Sequence, residues 1–340
     1  MKLISYSNAK HEERVGLFCD GHIIDFAIAG HTLGHKLPST MSGFLENAFA
    51  NLKIVDQIAA AFAAKKIHAV PSSDDLKILA PVPHPPTCRD AYAFRQHVAA
   101  ARKNRGVDMI PEFDQYPIFY FTNHHSIIGP GELVVEDDHL QKLDFELEVA
   151  AVIGKRGKNI ASRDADDFIL GLTIMNDFSA RVLQMEEMLL SLGPAKGKDF
   201  ATALGPWLVT MDELQPFRIK TEFGDKYDLD MKAFHNGTLI SHGNMKDMNW
   251  TFAEIIERVS YGVDVYPGDV IGSGTVGTGC YMELNGTWAR EAKEKGAPFT
   301  PVWLKEGDTI ELEVTGLGKL THTIARAAER RSILAKKKML

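Results

Sequence analysis

Alternation of apolar and polar positions is the strongest signal along this chain. In LDFELEVAAVI, residues 143–153, Leu143, Phe145, Leu147 and Val149 fall on one face of a strand, and Asp144, Glu146 and Glu148 fall on the other. Three acids on one face of an apolar strand have two readings. On an exposed edge they deter aggregation; in a buried position they require a cation between them. Similar runs predict strands at 117–121, 133–136, 168–176, 228–235, 239–241, 269–273, 310–315 and 320–325. KLISYS, RVGLFC and HIIDF predict three short strands near the start. Asp20-Gly21, Asn236-Gly237 and Asn285-Gly286 are hairpin-type dipeptides. Helical spacing follows in Phe44, Leu45, Phe49, Leu52, Ile54, Ile58 and Ala61, and later over 90–105, 179–190 and 250–260. Strands outnumber helices without alternating with them, which predicts a strand-rich α+β fold and not a doubly wound parallel sheet. The run PVPHPP at 81–86 interrupts helix and strand alike. It predicts a small N-terminal α+β domain at 1–75, a Pro-rich linker at 76–86 and a larger domain at 87–330.

Composition narrows the class. The chain has 340 residues, 45% hydrophobic and 24% charged, with a formal net charge of −7. Basic residues are dispersed, so no nucleic-acid partner is expected, and Lys336-Lys337-Lys338 reads as a solvated end. No apolar run reaches bilayer length, so no membrane partner is expected. The opening MKLISYSNAK breaks with polar residues too early for a secretory signal. Cys19, Cys88 and Cys280 are widely spaced and form neither a metal-ligand pattern nor an even disulfide set. A cytoplasmic location is expected. Neither a dinucleotide-binding glycine fingerprint nor a P-loop is present.

The candidate chemistry begins with the acid strand. Asn176-Asp177 stands where a strand runs into a helix, so Asp177 with Glu146 and Glu148 would supply three oxygen ligands and Asp90 a fourth. A carboxylate-only set suits a hard divalent cation, Mg²⁺ or Ca²⁺ and also Mn²⁺, better than zinc. The competing reading makes Asp177 a helix cap. Four more segments stand out. His97 lies early in an alanine-rich helix with Arg102 and Arg105 beyond it. Arg181 and Gln184 share a helical face. Lys196 and Lys198 occupy a glycine-rich loop, and PGDVIGSGTVG at 267–277 leads to Glu283.

Together and in this order, these segments resemble the fumarylacetoacetate hydrolase family, from about Pro81 to about Ala327. Asp90 is followed seven residues later by His97, as a metal-ligand aspartate and a catalytic histidine are spaced in the fumarylacetoacetase branch. Glu146 and Glu148 match its E-x-E strand, Met175 through Gln184 its M-N-D-x-S-A-R-x-x-Q segment, and Gly193 through Thr202 its G-P-x-x-G-K-x-F-x-T segment. Pro267 through Thr275 match its P-G-D-x-x-x-S-G-T segment. The resemblance implies an FAH-type catalytic domain, a mixed β-roll or β-sandwich, at 87–330 behind the small N-terminal domain.

It further implies a homodimeric, metal-dependent hydrolase that cleaves a carbon–carbon bond in a 2-oxo or 1,3-dicarbonyl acid. Fumarylacetoacetate of tyrosine catabolism, or a related acylpyruvate, is the expected substrate. A 2-oxo acid decarboxylase, lyase or hydratase on the same scaffold is the alternative. Asp90, Glu146, Glu148 and Asp177 would hold the cation; His97, oriented by Glu283, would activate water; Lys198, Arg181 and Gln184 would stabilise the oxyanion. Tyr92, Tyr120 and Thr275 match substrate-pocket positions. Two departures concern the substrate. Met188 replaces a pocket tyrosine, and Gly106 stands where a carboxylate-gripping arginine is expected, leaving Arg102 and Arg105 as displaced candidates.

Overall fold

The computed structural model describes residues 1–71 and 76–334. The last four residues of the expected N-terminal domain and the Lys336–Lys338 run lie outside the described residues. An 11-stranded sheet is the backbone of the fold. From one edge it runs His22–Asp25, Glu13–Cys19, Lys2–Ser7, Thr202–Thr210, Ile169–Asp177, Leu147–Ile153, Val270–Gly272, Cys88–Ala91 and Phe119–Thr122. Two short strands, Lys77–Ile78 and Ile127–Ile128, pair off this path. A five-stranded sheet, Thr238–Asn244, Asp230–His235, Thr309–Val314, Gly318–Arg326 and Gly131–Val135, packs against it. The architecture is strand-rich α+β with mixed sheets, as expected.

The acid strand is central and buried on both faces, which removes the edge reading of its charges. Val149, Ala151 and Ile153 enter a core shared with Leu312, Val314 and Leu320 of the second sheet. Ala150 and Val152 enter another core shared with Leu3, Val15, Phe44 and Ile58. That second core crosses the proline run, and Lys2–Ser7 pairs directly with Thr202–Thr210. Packing is therefore continuous between the first 71 residues and the remainder.

Several expectations need correction. The helix expected over 90–105 spans only Arg95–Asn104, because Cys88–Ala91 pairs with Val270–Gly272 on one side and Phe119–Thr122 on the other. The Asn285-Gly286 hairpin does not form. Both residues lie inside a 14-residue helix, Tyr281–Glu294. The Asn285 side chain satisfies the backbone of Val302 at 2.8 and 2.9 Å, and a Cβ at Gly286 would lie 2.5 Å from Asn104. The central strand Thr202–Thr210 was not expected; it contains Gly205-Pro206, which reads as a breaker, and its register with Ile169–Asp177 slips there. The proline sits in that irregular stretch, where no ladder hydrogen bond is lost. The strand expected over 143–153 breaks after Asp144. Leu143–Asp144 pairs with Ser179–Ala180, while Leu147–Ile153 pairs with Ile169–Asp177.

His322 gives the fold an acid sensitivity. Its Nε2 bonds to the Gly129 carbonyl at 3.0 Å, its Nδ1 has no partner, and its ring packs edge-on against Phe178. Burial, opposed weakly by the Gly129 contact, holds its pKa down at about 4. Between that value and the ordinary 6.5 the unfolded chain binds a proton that the native state refuses. Its contribution is thus complete above pH 6.5 and is lost as pH falls towards 4, about 3 kcal/mol in all. Denaturant unfolding of His322→Asn and the parent at pH 7.5 and 4.5 should show the smaller acid loss in the variant; equal losses would refute the assignment.

Candidate metal and acid–base centre

The candidate residues converge at one end of the large sheet, in cross-strand register. Gly272 opposes Asp90, Asp90 opposes Tyr120, Glu148 opposes Met175, and Asp177 opposes Thr202. Gly272 has to be glycine, since a Cβ there would lie 2.4 Å from Asp90 Oδ1. Gly274, at φ +77°, donates its N–H to the same oxygen at 3.0 Å.

Asp90, Glu146, Glu148 and Asp177 are buried, and one oxygen from each lies within 4.8 Å of the others. Glu148 Oε2 and Asp177 Oδ1 are buried with no hydrogen-bond partner. Burial and the charge of Asp177 push Asp90 up to about 8; burial and the charges of Asp90, Glu146 and Asp177 raise Glu148 well above the carboxylate range. Burial also raises Asp177 despite its contact with Lys198. Glu146 is the exception, because Lys198 and Arg181 overcome its burial and bring it down to about 2. Orphaned oxygens in a carboxylate-only, mutually repelling set fit a hard divalent cation. Asp177 is not a helix cap: the helix Arg181–Met188 has Ala180 at its N-cap and no side-chain cap.

Two buried cations brace the cluster. Lys198 Nζ donates to Glu146 Oε2 and Asp177 Oδ2, both at 2.6 Å, and the Tyr120 hydroxyl donates to the same Asp177 oxygen. Lys198 sits in a one-turn helix, Ala195–Lys198, where a loop was expected. Arg181 donates to Asp144 Oδ2 at 2.8 Å, Glu146 Oε1 at 2.7 Å and Gln184 Oε1 at 2.8 Å. Thr275 Oγ1 donates to Glu148 Oε1 at 3.3 Å.

Beside the cluster His97 Nδ1 lies 2.5 Å from Glu283 Oε2, and both side chains are buried. Glu283 is in the first turn of Tyr281–Glu294, and its other oxygen accepts from the Thr278 N–H at 3.0 Å. Tyr92 packs edge-on against His97, and burial pushes its phenol up to about 12 against the pull of Arg105. The two displaced arginine candidates bond to nearby backbone carbonyls, and the charge of Arg105 reaches Tyr92. Arg102 bonds to the Asp108 carbonyl, and exposed Arg105 bonds to the Ala101 carbonyl at 3.2 Å.

Asp144 is the residue that the pattern grouped with the ligands but the structure uses differently. Its two oxygens accept the N–H groups of Tyr281 at 2.7 Å and Met282 at 2.9 Å, capping the helix that carries Glu283. The same carboxylate holds Arg181. It thereby ties the His97–Glu283 pair to Glu146 through one buried side chain.

A mixed two-sheet fold bearing a buried four-carboxylate cluster that could hold a divalent cation, with a histidine–glutamate pair beside it, has the make-up of an enzyme. The chain belongs to the fumarylacetoacetate (FAA) hydrolase family: residues 87–325 match its C-terminal domain. It is 32% identical over 295 residues to the human mitochondrial oxaloacetate tautomerase FAHD2A, covering 85% of this chain and 80% of that one. It is 29% identical over 299 residues to fumarylacetoacetase of Oryza sativa subsp. japonica, covering 74% and 68%. Among solved structures, maleylpyruvate hydrolase from Sphingobium sp. SYK-6 shares the fold with a TM-score of 0.66 at 20% identity, over 96% of this chain and all of that one.

Proposed function

We propose that the protein is a metal-dependent hydrolase that cleaves a carbon–carbon bond in a 2-oxo or 1,3-dicarbonyl acid. The observation that carries this reading is the His97–Glu283 pair standing beside the carboxylate cluster. Asp90, Glu146, Glu148 and Asp177 would hold the cation, which when bound supplies Lewis-acid polarisation of the substrate carbonyls.

The chain's own residues account for the proton movements. With Nδ1 engaged by Glu283, His97 Nε2 takes a proton from water, and Glu283 stabilises the imidazolium. The hydroxide adds to the acyl carbonyl carbon, the carbon–carbon bond breaks, and the imidazolium returns its proton to the released carbanion. Lys198 supplies positive charge where the oxyanion develops. Arg181 acts one step back, because its donors already serve Asp144, Glu146 and Gln184.

A second reading is keto–enol tautomerisation of a 2-oxo acid, favoured by the relatives of that name at 32% identity. The same histidine would then move a carbon-bound proton without scission. Reaction of 2,4-dioxo acids, fumarylacetoacetate and oxaloacetate in H₂¹⁸O and in D₂O with Mg²⁺ separates the two. Hydrolysis places ¹⁸O in one carboxylic acid product. Deuterium exchange at carbon with no scission would overturn the hydrolase reading in favour of the tautomerase.

A further inference from the structure

A groove of about 530 Å³ reaches Tyr120 and Lys198, the two side chains that donate to Asp177 Oδ2. Its walls are apolar: Phe121, Leu190, Leu192 and Pro194 line it, and Leu190 and Leu192 are 83% and 96% exposed. Its polar groups are already engaged. Asn123 Nδ2 donates to Ser126 Oγ and the Asp199 carbonyl, and Thr122 Oγ1 lies 3.3 Å from Thr202 Oγ1. The Glu187 carboxylate accepts the N–H groups of Lys196 and Gly197, and the Asp199 carboxylate is held by Lys196. Among the described residues lining the groove Lys198 is the one cation, with two of its three N–H groups on Glu146 and Asp177. Arg89, 4.7 Å from the Phe121 ring, is buried; its Nη1 donates to Thr87 Oγ1 at 2.6 Å and lies 3.7 Å from Asp269, while its Nε has no partner.

We propose that this groove receives the acyl arm of the substrate and selects an uncharged, apolar arm over one ending in a carboxylate. This rests on the reading of the site as one for 2-oxo or 1,3-dicarbonyl acids. Continuity with Lys198 and Tyr120 makes the substrate the occupant, since a dicarbonyl head placed at the carboxylate cluster directs its arm outward along these walls. The charge pattern supplies the selection. A terminal carboxylate in the groove meets the Glu187 and Asp199 carboxylates, whereas an alkyl or aryl arm covers exposed leucine and phenylalanine. A fumaryl arm, which ends in a carboxylate, is a poor match for these walls.

N-alkyl oxamates, which carry a 2-oxo acid head and a graded chain, test the proposal without turnover. Titration calorimetry of the Mg²⁺-loaded full chain should show affinity rising about twofold to fourfold per methylene from methyl to pentyl. N-(3-carboxypropyl)oxamate should bind at least tenfold more weakly than the N-pentyl compound. Leu192→Asp, a surface change outside the catalytic machinery, should flatten the series, and Leu192→Arg should restore binding of the carboxylate-ended compound. A flat series in the parent, or tighter binding of the carboxylate-ended compound, overturns the proposal. So does a chain-length series in Leu192→Asp equal to that of the parent. So does a parent dimer that covers the groove and is lost in Leu192→Asp. If the series is obtained but no dicarbonyl acid is cleaved, the hydrolase reading fails and the groove assignment stands.

Discussion

Glu148→Ala is expected to abolish divalent-cation binding and, with it, activity, while leaving the fold in place. Glu148 is fully buried, and one of its oxygens accepts a 3.3 Å bond from Thr275. Without a cation its charge is a liability, opposed by burial and by Asp90, Glu146 and Asp177. Removing it therefore relieves repulsion in the metal-free protein. In the parent, free Mg²⁺ at about a thousand times its dissociation constant stabilises the native state by about 4 kcal/mol. That increment should vanish in Glu148→Ala and in the isosteric Glu148→Gln, read as loss of the difference between unfolding curves in Mg²⁺ and in EDTA. EDTA should inactivate the parent, and Mg²⁺ or Mn²⁺ should restore it. Full activity of the chelated parent would show the ligand assignment to be wrong.

The four clustered carboxylates were picked out by three local features, which left the metal and cap readings of Asp177 open until the family resemblance joined them. Glu146 and Glu148 are marked by strand alternation, Asp177 by its place at a strand end, and Asp90 by the proline run just before it. Their convergence is a property of strand order that spacing cannot supply: Cys88–Ala91 and Ile169–Asp177 flank the acid strand and its neighbour in space. Asp144 was misgrouped because alternation assumes an unbroken strand, and the chain leaves that strand at 145–146. The helix Tyr281–Glu294 was missed for a related reason. Its N-cap, Cys280, makes no side-chain bond, and the capping carboxylate comes from Asp144, 137 residues away. A helix start supplied through space leaves no signature in the local sequence. Glu283 was thus noted only as the residue that follows the 267–277 glycine turn, with no element assigned to it, and the resemblance alone paired it with His97.

His97→Ala is expected to lower hydrolysis by roughly 10²–10⁴-fold, the share that positioned acid–base groups commonly carry. Cation affinity, read by calorimetry, should barely change, because His97 is not among the four clustered carboxylate residues. The pair it forms with Glu283 is preorganised. The Nδ1 contact is 2.5 Å, the second Glu283 oxygen is held by the Thr278 N–H, and Asn104 Nδ2 donates to the Glu283 carbonyl at 3.0 Å. Glu283→Gln preserves shape but removes the charge that stabilises the imidazolium, so it should lose less than His97→Ala. Because the two residues act as one unit, the double variant should be little worse than His97→Ala alone. Additive losses would mean that Glu283 works apart from the histidine. Decarboxylation of oxaloacetate that depends on the cation alone should survive His97→Ala far better than hydrolysis does. Retention of full hydrolysis by His97→Ala would remove water activation from this residue and shift the reaction towards the decarboxylase or lyase alternative.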